Sequence, residues 1–454
     1  MKKRNVILGI VFTAIFFIAC KDSNIINNYN SQYFYVDFNV DGNLIPQYQR
    51  ILKGEKVIEP IGISKTGYIL KGWYKEATFN NLWDFNNEVV TGDITLYAKW
   101  EINPDNCCIK FVSAGENHTV VIKKDGTLWA WGSFDLLGLG DSVLGVNVDT
   151  SMPIQVGISN DWKNVSAGSS HTMAIKNDGT LWAWGSNGAG QLGIGDFQYR
   201  SIPCQVGTDK DWEFVSAAYL NTMAIKDDGT LWAWGFNDKE QLGLGLSSST
   251  QYKNTPNQIS SNISWLTVSV SEDRFIMAIK KDGTLWSWGY DNGLLGLSGF
   301  SGDKNIPTKV GIDSNWVSVS AGRNLVTAIK KDGTLWTWGS TGLSISFINY
   351  PTQVGNDDNW ETVASTNSIT IAKRKDGSLW TWGDNSFGKL GLGHSESINT
   401  PTQIGIDTDW KTISTGGALV TAIKEDGSLW TWGHYYSNNK GTVIPTPRLV
   451  IFTE

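Results

Sequence analysis

From residue 109 to the end of the chain, apolar-rich runs of five or six residues alternate with clusters of Gly, Asp, Asn and Pro. The stretch 203–235 shows the pattern. Pro203-Cys204-Gln205-Val206 leads to Trp212-Glu213-Phe214-Val215-Ser216-Ala217, then Asn221-Thr222-Met223-Ala224-Ile225-Lys226, then Thr230-Leu231-Trp232-Ala233-Trp234-Gly235. Runs of this length, rich in β-formers and bounded by turn residues, predict four strands. Asp228-Gly229 suits a tight hairpin turn, since Gly takes positive φ without steric cost. In the last strand Trp232 and Trp234 face one way, Leu231 and Ala233 the other. Both faces are apolar, so such a sheet must be covered on both sides.

The pattern occurs seven times. Trp129, Trp182, Trp232, Trp286, Trp336, Trp380 and Trp430 lead copies of Trp-x-Trp-Gly, at steps of 53, 50, 54, 50, 44 and 50 residues. A fixed period of this size marks a repeat architecture. Four-stranded sheets with two apolar faces, stacked radially, make a β-propeller, each blade covering its neighbours. An open solenoid would leave tryptophan exposed at both ends. The expected fold is therefore all-β, a seven-bladed propeller over 105–454. The first copy starts at Ile109-Lys110-Phe111-Val112 without a preceding Pro-containing strand, and the chain ends with Pro447-Arg448-Leu449-Val450. This predicts closure by the C-terminal strand pairing beside 109–114, with deletion of 446–454 exposing a strand edge.

Upstream, residues 33–101 have a different texture. Tyr33 to Val40 reads as a strand ending at the Asp41-Gly42 turn. Trp73, Trp83, Phe85 and Trp100 can supply the core of a domain this small. A sugar-binding platform is the sharper reading of those rings, but so small a domain needs them inside. Residues 1–20 join Lys2-Lys3-Arg4 to an apolar run from Val6 to Ala19, a signal-type segment short for a membrane span. Asn24 to Gln32 is polar and reads as a flexible tether over 21–32.

Three resemblances follow from these residues. Phe17-Ile18-Ala19-Cys20 resembles a bacterial lipobox, which implies a chain lipidated at Cys20 and anchored to the lipid membrane of the cell envelope. At about 0.8 kcal/mol per buried methylene, several acyl chains hold where one would not. The series Gly54-Glu55-Lys56-Val57, Gly72-Trp73-Tyr74, Trp83-Asp84-Phe85 and Ile94 to Trp100 resembles the Listeria–Bacteroides repeat of internalin B-type surface proteins. It implies a small β-grasp-like domain over 33–101, serving as spacer or adhesion module. Ala167-Gly168, His171-Thr172 and Asn187-Gly188-Ala189-Gly190-Gln191-Leu192-Gly193 beside Trp184-Gly185 resemble the regulator of chromosome condensation repeat. Copies five and seven lose the Gly-Gln-Leu-Gly segment, at Ser340-Thr341-Gly342-Leu343-Ser344 and His434-Tyr435-Tyr436.

Composition narrows the function. All 23 Trp fall in these patterns, including Trp162, Trp212, Trp265, Trp316, Trp360 and Trp410 ahead of the later copies. Net charge is −7, with no basic run, so nucleic acid is disfavoured as a partner. Cys20, Cys107, Cys108 and Cys204 fit no metal spacing and form no disulfide framework. Gly188 to Gly193 matches Gly-x-Gly-x-x-Gly by letter but lacks the following helix, so no dinucleotide cofactor is implied. His118 and His171 occupy equivalent positions held elsewhere by Asn221, Phe275 and Leu325, which argues for a structural hydrogen bond. His394 and His434 lie in loops, Asp357-Asp358 in a polar turn, and no catalytic constellation stands out. No metal, cofactor or enzymatic activity is expected.

Function, on this reading, lies in the loops after each Trp-x-Trp-Gly. Phe134, Tyr199, Arg200, Tyr252, Tyr290, Phe300, Phe347, Tyr350, Tyr435 and Tyr436 are the candidate partner-binding residues. Rigid scaffolds place binding groups on such loops, and Tyr, Trp and Arg dominate binding hot spots. Each could equally pack beneath a neighbouring blade. The expected function is non-catalytic binding of a protein or surface glycan. The repeat resemblance gives this a precedent, a secreted β-lactamase inhibitor. It also implies an alternative, nucleotide exchange on a small GTPase, which needs a wedge-like insertion that repeats of 44–54 residues lack. A glycan-active enzyme, the third class, would need paired acids facing one cleft.

Overall fold

The computed structural model describes residues 33–45, 48–65, 67–104, 108–140, 150–245, 251–260, 264–297, 302–340, 347–437 and 440–452. Cys20, Cys107 and Phe300 lie outside them, as do the side chains of 435–441. The chain forms two compact units, 1–102 and 103–454. Among the described residues there is no α-helix.

The first unit is one mixed five-stranded sheet. Its strands are β1 (Tyr33–Val40), β2 (Asn43–Leu44), β3 (Gln49–Leu52), β4 (Tyr68–Tyr74) and β5 (Ile94–Ile102). They run in the order β2-β1-β5-β4, with β3 also on β1, and the β1–β5 pair is parallel. Trp73 is fully buried against Phe38, ring centroids 5.0 Å apart, and Trp83 is buried with them. Phe85 and Trp100 pack on the same cluster. The rings are spent on the core, as a domain of this size requires.

The second unit is a ring of seven four-stranded antiparallel sheets. The first blade is β6 (Ile109–Ala114), β7 (His118–Lys123), β8 (Leu128–Gly132) and β9 (Thr150–Gln155). The second is Trp162–Ala167, His171–Lys176, Leu181–Gly185 and Arg200–Gln205. Blades three to seven open at Trp212, Trp265, Trp316, Trp360 and Trp410. The two-faced apolar strand works as its alternation predicts. In blade 2, Trp182 and Trp184 pack on Val120, Leu128 and Ala130 of blade 1. Leu181 and Ala183 pack on Trp212, Val215 and Trp234 of blade 3.

The rest of the repeated motif builds the turn that joins neighbouring blades. Trp182 Nε1 donates to Thr180 Oγ1 at 2.9 Å, and that hydroxyl donates to Asp178 Oδ1 at 2.7 Å. The Thr180 hydroxyl, with its amide, holds the Asp178 carboxyl below its ordinary value. Gly179 sits at φ +80°, and a Cβ there would fall 1.9 Å from the carbonyl oxygen of Lys210. That closeness lets Trp212 N donate to Gly179 O across the seam at 3.2 Å. Glycine is therefore required here twice, by dihedral and by space.

Closure differs from the sequence expectation. The Pro-containing strand is the outermost strand of the blade before it, not the first strand of its own repeat. Proline has no N–H to donate, so an edge is where it costs no ladder bond. Copy one therefore lacks nothing, because β9 with Pro153 is its fourth strand. The C-terminal strand Lys440–Leu449 pairs with Leu429–Ser437 inside blade 7, not beside 109–114. The ring closes by packing instead. Ile109 N donates to Gly427 O at 2.9 Å, repeating the seam bond that Trp212 makes. Phe452 then supplies the ring that Ile109 lacks. It meets Trp129 edge-on at 5.6 Å, and Lys123 Nζ lies 4.2 Å from Trp129 and 4.6 Å from Phe452. In blade 2 the same place is taken by Lys176 between Trp162 and Trp182, 4.9 Å from each.

A second set of bonds surrounds the axis. Serine hydroxyls on the first strands accept backbone N–H groups of the next blade: Ser113 from Ala167, Ser166 from Ala217, Ser216 from Val270, Ser269 from Ala321, Ser320 from Ser365 and Ser414 from Ala114. Ala364 stands at the remaining position and cannot take part. The serines line an axial cavity of about 330 Å³.

Candidate functional site

Strand direction sends the two faces of the ring different features. Each Asp-Gly turn lies on one face. The loops after Trp-x-Trp-Gly and the short turns between first and second strands lie on the other. Across blades 1 to 4 this loop face gathers several of the predicted residues. Tyr199 is half exposed, and its hydroxyl donates to the Asp135 carbonyl of blade 1 at 2.6 Å. Phe197, also half exposed, stands edge-on to Tyr252 at 6.1 Å, and Tyr252 leans on Phe236 at 5.5 Å. Lys239 Nζ lies 4.9 Å above the Tyr290 ring. Arg274 pairs with Asp238 at 2.7 Å and comes within 6.0 Å of the same ring.

The other predicted residues separate from this strip. Phe134 is buried, 8% exposed, at the start of a 3-10 turn, so it packs rather than binds. Arg200 is occupied within its own loop, with Asp196 and the carbonyls of Gln198 and Tyr199. Phe347 and Tyr350 are exposed but lie on blade 5, Tyr350 in its outer strand. Tyr435 and Tyr436 belong to the third strand of blade 7, their side chains outside the described set. Sequence reasoning missed Phe197, Phe236, Lys239 and Arg274. Phe236 follows Trp234-Gly235 directly, and that adjacency could have flagged it.

Nearer the axis, the histidines are structural. Thr222 donates its hydroxyl hydrogen to Gln191 O at 2.9 Å, so His171 Nε2, 3.1 Å away, must donate to that hydroxyl. His118 Nε2 makes the matching contact with Thr172 Oγ1 at 2.7 Å. Burial pushes His118 down to about 4, and burial with the nearby His118 pushes His171 down to about 3. Both are neutral scaffold groups. The axial cavity also holds Glu116, Glu272 and Arg323. Burial, reinforced by Glu116, raises Glu272 to about 6, and Arg323 opposes the rise. The structure thus brings two acids to one cavity, which the sequence did not disclose. Among the described residues no group of His, Cys, Asp and Glu could hold a metal. Cys204 is a free thiol. The strip offers aromatic faces edged by charge, which is binding chemistry.

Comparison with known proteins settles the family. The regulator of chromosome condensation repeat matches residues 125–175, 178–225, 228–273, 282–329 and 376–423, and a second model of that repeat matches 109–135 and 162–191. The chain belongs to the regulator of chromosome condensation repeat family. Ahead of its propeller, residues 34–99 match the Listeria–Bacteroides repeat domain. Relatives of this repeat-family chain include the ultraviolet-B receptor UVR8 of Arabidopsis thaliana, 32% identical over 30% of the chain and 32% of the receptor. The guanine nucleotide exchange factor SRM1 of Saccharomyces cerevisiae is 27% identical over 25% of the chain and 26% of its own length. The chain therefore spans about a third of the length of the first relative and a quarter of the second. Among solved structures, human WBSCR16 superposes with a TM-score of 0.63 at 18% identity, covering 74% of this chain and 92% of that one. Yeast Prp20p, studied for its binding to Gsp1p and histones, gives 0.61 at 18%, covering 77% and 88%. At these identities the structures speak for the fold.

Proposed function

We propose that this chain is a non-catalytic protein-binding module. In this reading the loop face of its propeller takes the partner, and the chain is held at the bacterial cell envelope by lipidation of Cys20. The observation that carries the reading is the strip Tyr199, Phe197, Tyr252 and Tyr290 with Lys239 and Arg274. It is rigidly mounted, partly exposed, and made of the residue types that dominate protein interfaces. The repeat family's named members include an exchange factor and a protein studied for protein partners, which supports a polypeptide ligand over a glycan.

Capture from envelope and surface extracts with the full chain, compared with a Phe197→Ala/Tyr252→Ala variant, tests this. Loss of two anchor rings should weaken the captured partner by about tenfold or more while leaving the melting temperature within a few degrees. Unchanged capture would remove the strip from the interface. The name of the yeast relative carries a second reading, exchange on a small GTPase. Capture of small GTPases alone, with accelerated nucleotide release, would select it. Polysaccharide turnover abolished by Glu272→Gln would instead select a glycan-active enzyme.

A further inference from the structure

The loops that follow Trp-x-Trp-Gly also seal the seams between blades. In blade 2, Gln191 O accepts from Trp234 Nε1 of blade 3 at 2.9 Å. Leu192 is buried in the seam, Gly193 lies against the Trp234 indole, and Gly195 N donates to Asn254 O on the outer strand at 2.8 Å. Blade 1 repeats this with Leu136 O, Leu137, Gly138 and Gly140 against Trp184 and Ser201. Blades 3 and 6 do so with Gln241 O, Leu242 and Gly245, and with Lys389 O, Leu390 and Gly393. Blade 4 contributes Leu294 O and Leu295 against Trp338. Among the described residues, five seams have a Leu-Gly turn from the preceding blade that presents a carbonyl to an indole N–H and a leucine to the core, whereas at the seam between blades 5 and 6 Trp382 Nε1 is buried without a partner.

Among the described residues blade 7 has no such turn. Its third strand runs on to Ser437 as part of a long hairpin with Lys440–Leu449. The receiving side of blade 1 is nevertheless intact. Trp131 is the counterpart of Trp184 and Trp234, standing opposite Thr119 as they stand opposite Thr172 and Thr222. Ser151 is the counterpart of Ser201, two residues before the edge proline. Between them lies an open cavity of about 260 Å³, walled by Trp131, Ser151, Met152, Leu419, Ile444 and Leu449. Met152 at its mouth is 46% exposed. No leucine from a preceding loop enters this seam's core, which holds Ile109, Val112, Val121, Trp131, Ile423 and Phe452.

We propose that the seam between blades 7 and 1 is a docking slot for a Leu-Gly turn supplied by a partner protein. The occupant's chemistry is specified by the five internal turns. A backbone carbonyl accepts from Trp131 Nε1, the next leucine fills the apolar cavity, a glycine lies against the indole face, and an N–H two residues on donates to Ser151 O. This deepens the protein-binding reading and rests on it only in naming a polypeptide as occupant. The slot is walled by blades 7 and 1, so substitutions in the strip on blades 2 to 4 leave it untouched and the two readings fail separately.

The test uses the full-length chain with 15N-labelled tryptophan indoles and a synthetic peptide copying residues 187–195, Asn-Gly-Ala-Gly-Gln-Leu-Gly-Ile-Gly. The Trp131 Nε1–H resonance should shift saturably at peptide concentrations up to about 5 mM, and a peptide with Leu replaced by Ala should bind there about tenfold more weakly. Trp131→Phe should remove the responding resonance. Should that variant fail to fold, Met152→Arg, at the exposed mouth, should weaken peptide binding about tenfold while Trp131 remains. No saturable shift of the Trp131 resonance at about 5 mM overturns the proposal, as does undiminished binding at Trp131 in Met152→Arg.

Discussion

At the residue scale, the buried histidines tie stability to pH. His118 and His171 have folded values of about 4 and about 3, below the ordinary 6.5, because burial disfavours the charged ring. The unfolded chain therefore binds more protons between those values. Their contribution is complete above pH 6.5 and is lost as pH falls toward the folded values. Between pH 6.5 and 5 each should cost about 2 kcal/mol. The variant His118→Asn/His171→Asn borrows the residue found at this position as Asn221. It should flatten thermal stability against pH over that interval, and a slope equal to that of the parent would show the rings to be solvated. The structural role of these positions was legible in the sequence, because Asn221, Phe275 and Leu325 replace the histidines in other copies. The donor direction was not, since it follows from where Thr222 sends its one hydroxyl hydrogen.

At the scale of the element, the Leu-Gly turn is the piece with the least regular sequence and, in five seams, a large share of the packing. Leu192 is fully buried between blades 2 and 3. Leu192→Ala should destabilise the propeller by about 2–5 kcal/mol through lost contact and a residual cavity. Denaturant unfolding measures it, and a change under about 0.5 kcal/mol would mean the turn is peripheral. The strands themselves were legible, because Leu231-Trp232-Ala233-Trp234 alternates between two apolar faces and can only be a strand covered on both. The absence of Gly-Gln-Leu-Gly from copies five and seven was visible too. Its meaning was not, because an unsealed seam is a relation between Trp131 and a loop some 300 residues later in the chain. Similarly, Phe197 meets Tyr252 only because blades 2 and 3 are adjacent.

For the whole molecule, seven blades were countable from the period, but the closing device was misread. Taking the Pro-containing run as the start of each repeat left an apparent half-blade at each end. The geometry assigns that run to the edge of the blade before it, where proline is tolerated, so each sheet is complete in itself. The terminus still matters through one side chain. Phe452 is 6% exposed and completes the aromatic pair around Lys123 that tryptophans form in the other blades. Phe452→Ala should lower stability by about 2–4 kcal/mol, and Phe452→Trp should hold it near the parent value. Calorimetry of the two variants checks this, and equal melting temperatures for parent and Phe452→Ala would place closure elsewhere.

The edge prolines have a consequence for crowding. Pro153, Pro203, Pro256, Pro307, Pro351, Pro401 and Pro447 put at least one residue without an amide hydrogen on the outermost strand of every blade. Two such rims brought side by side cannot zip into a continuous ladder. A disc built this way can be displayed at high density, rim against rim, and stay a collection of separate discs rather than the seed of a fibre.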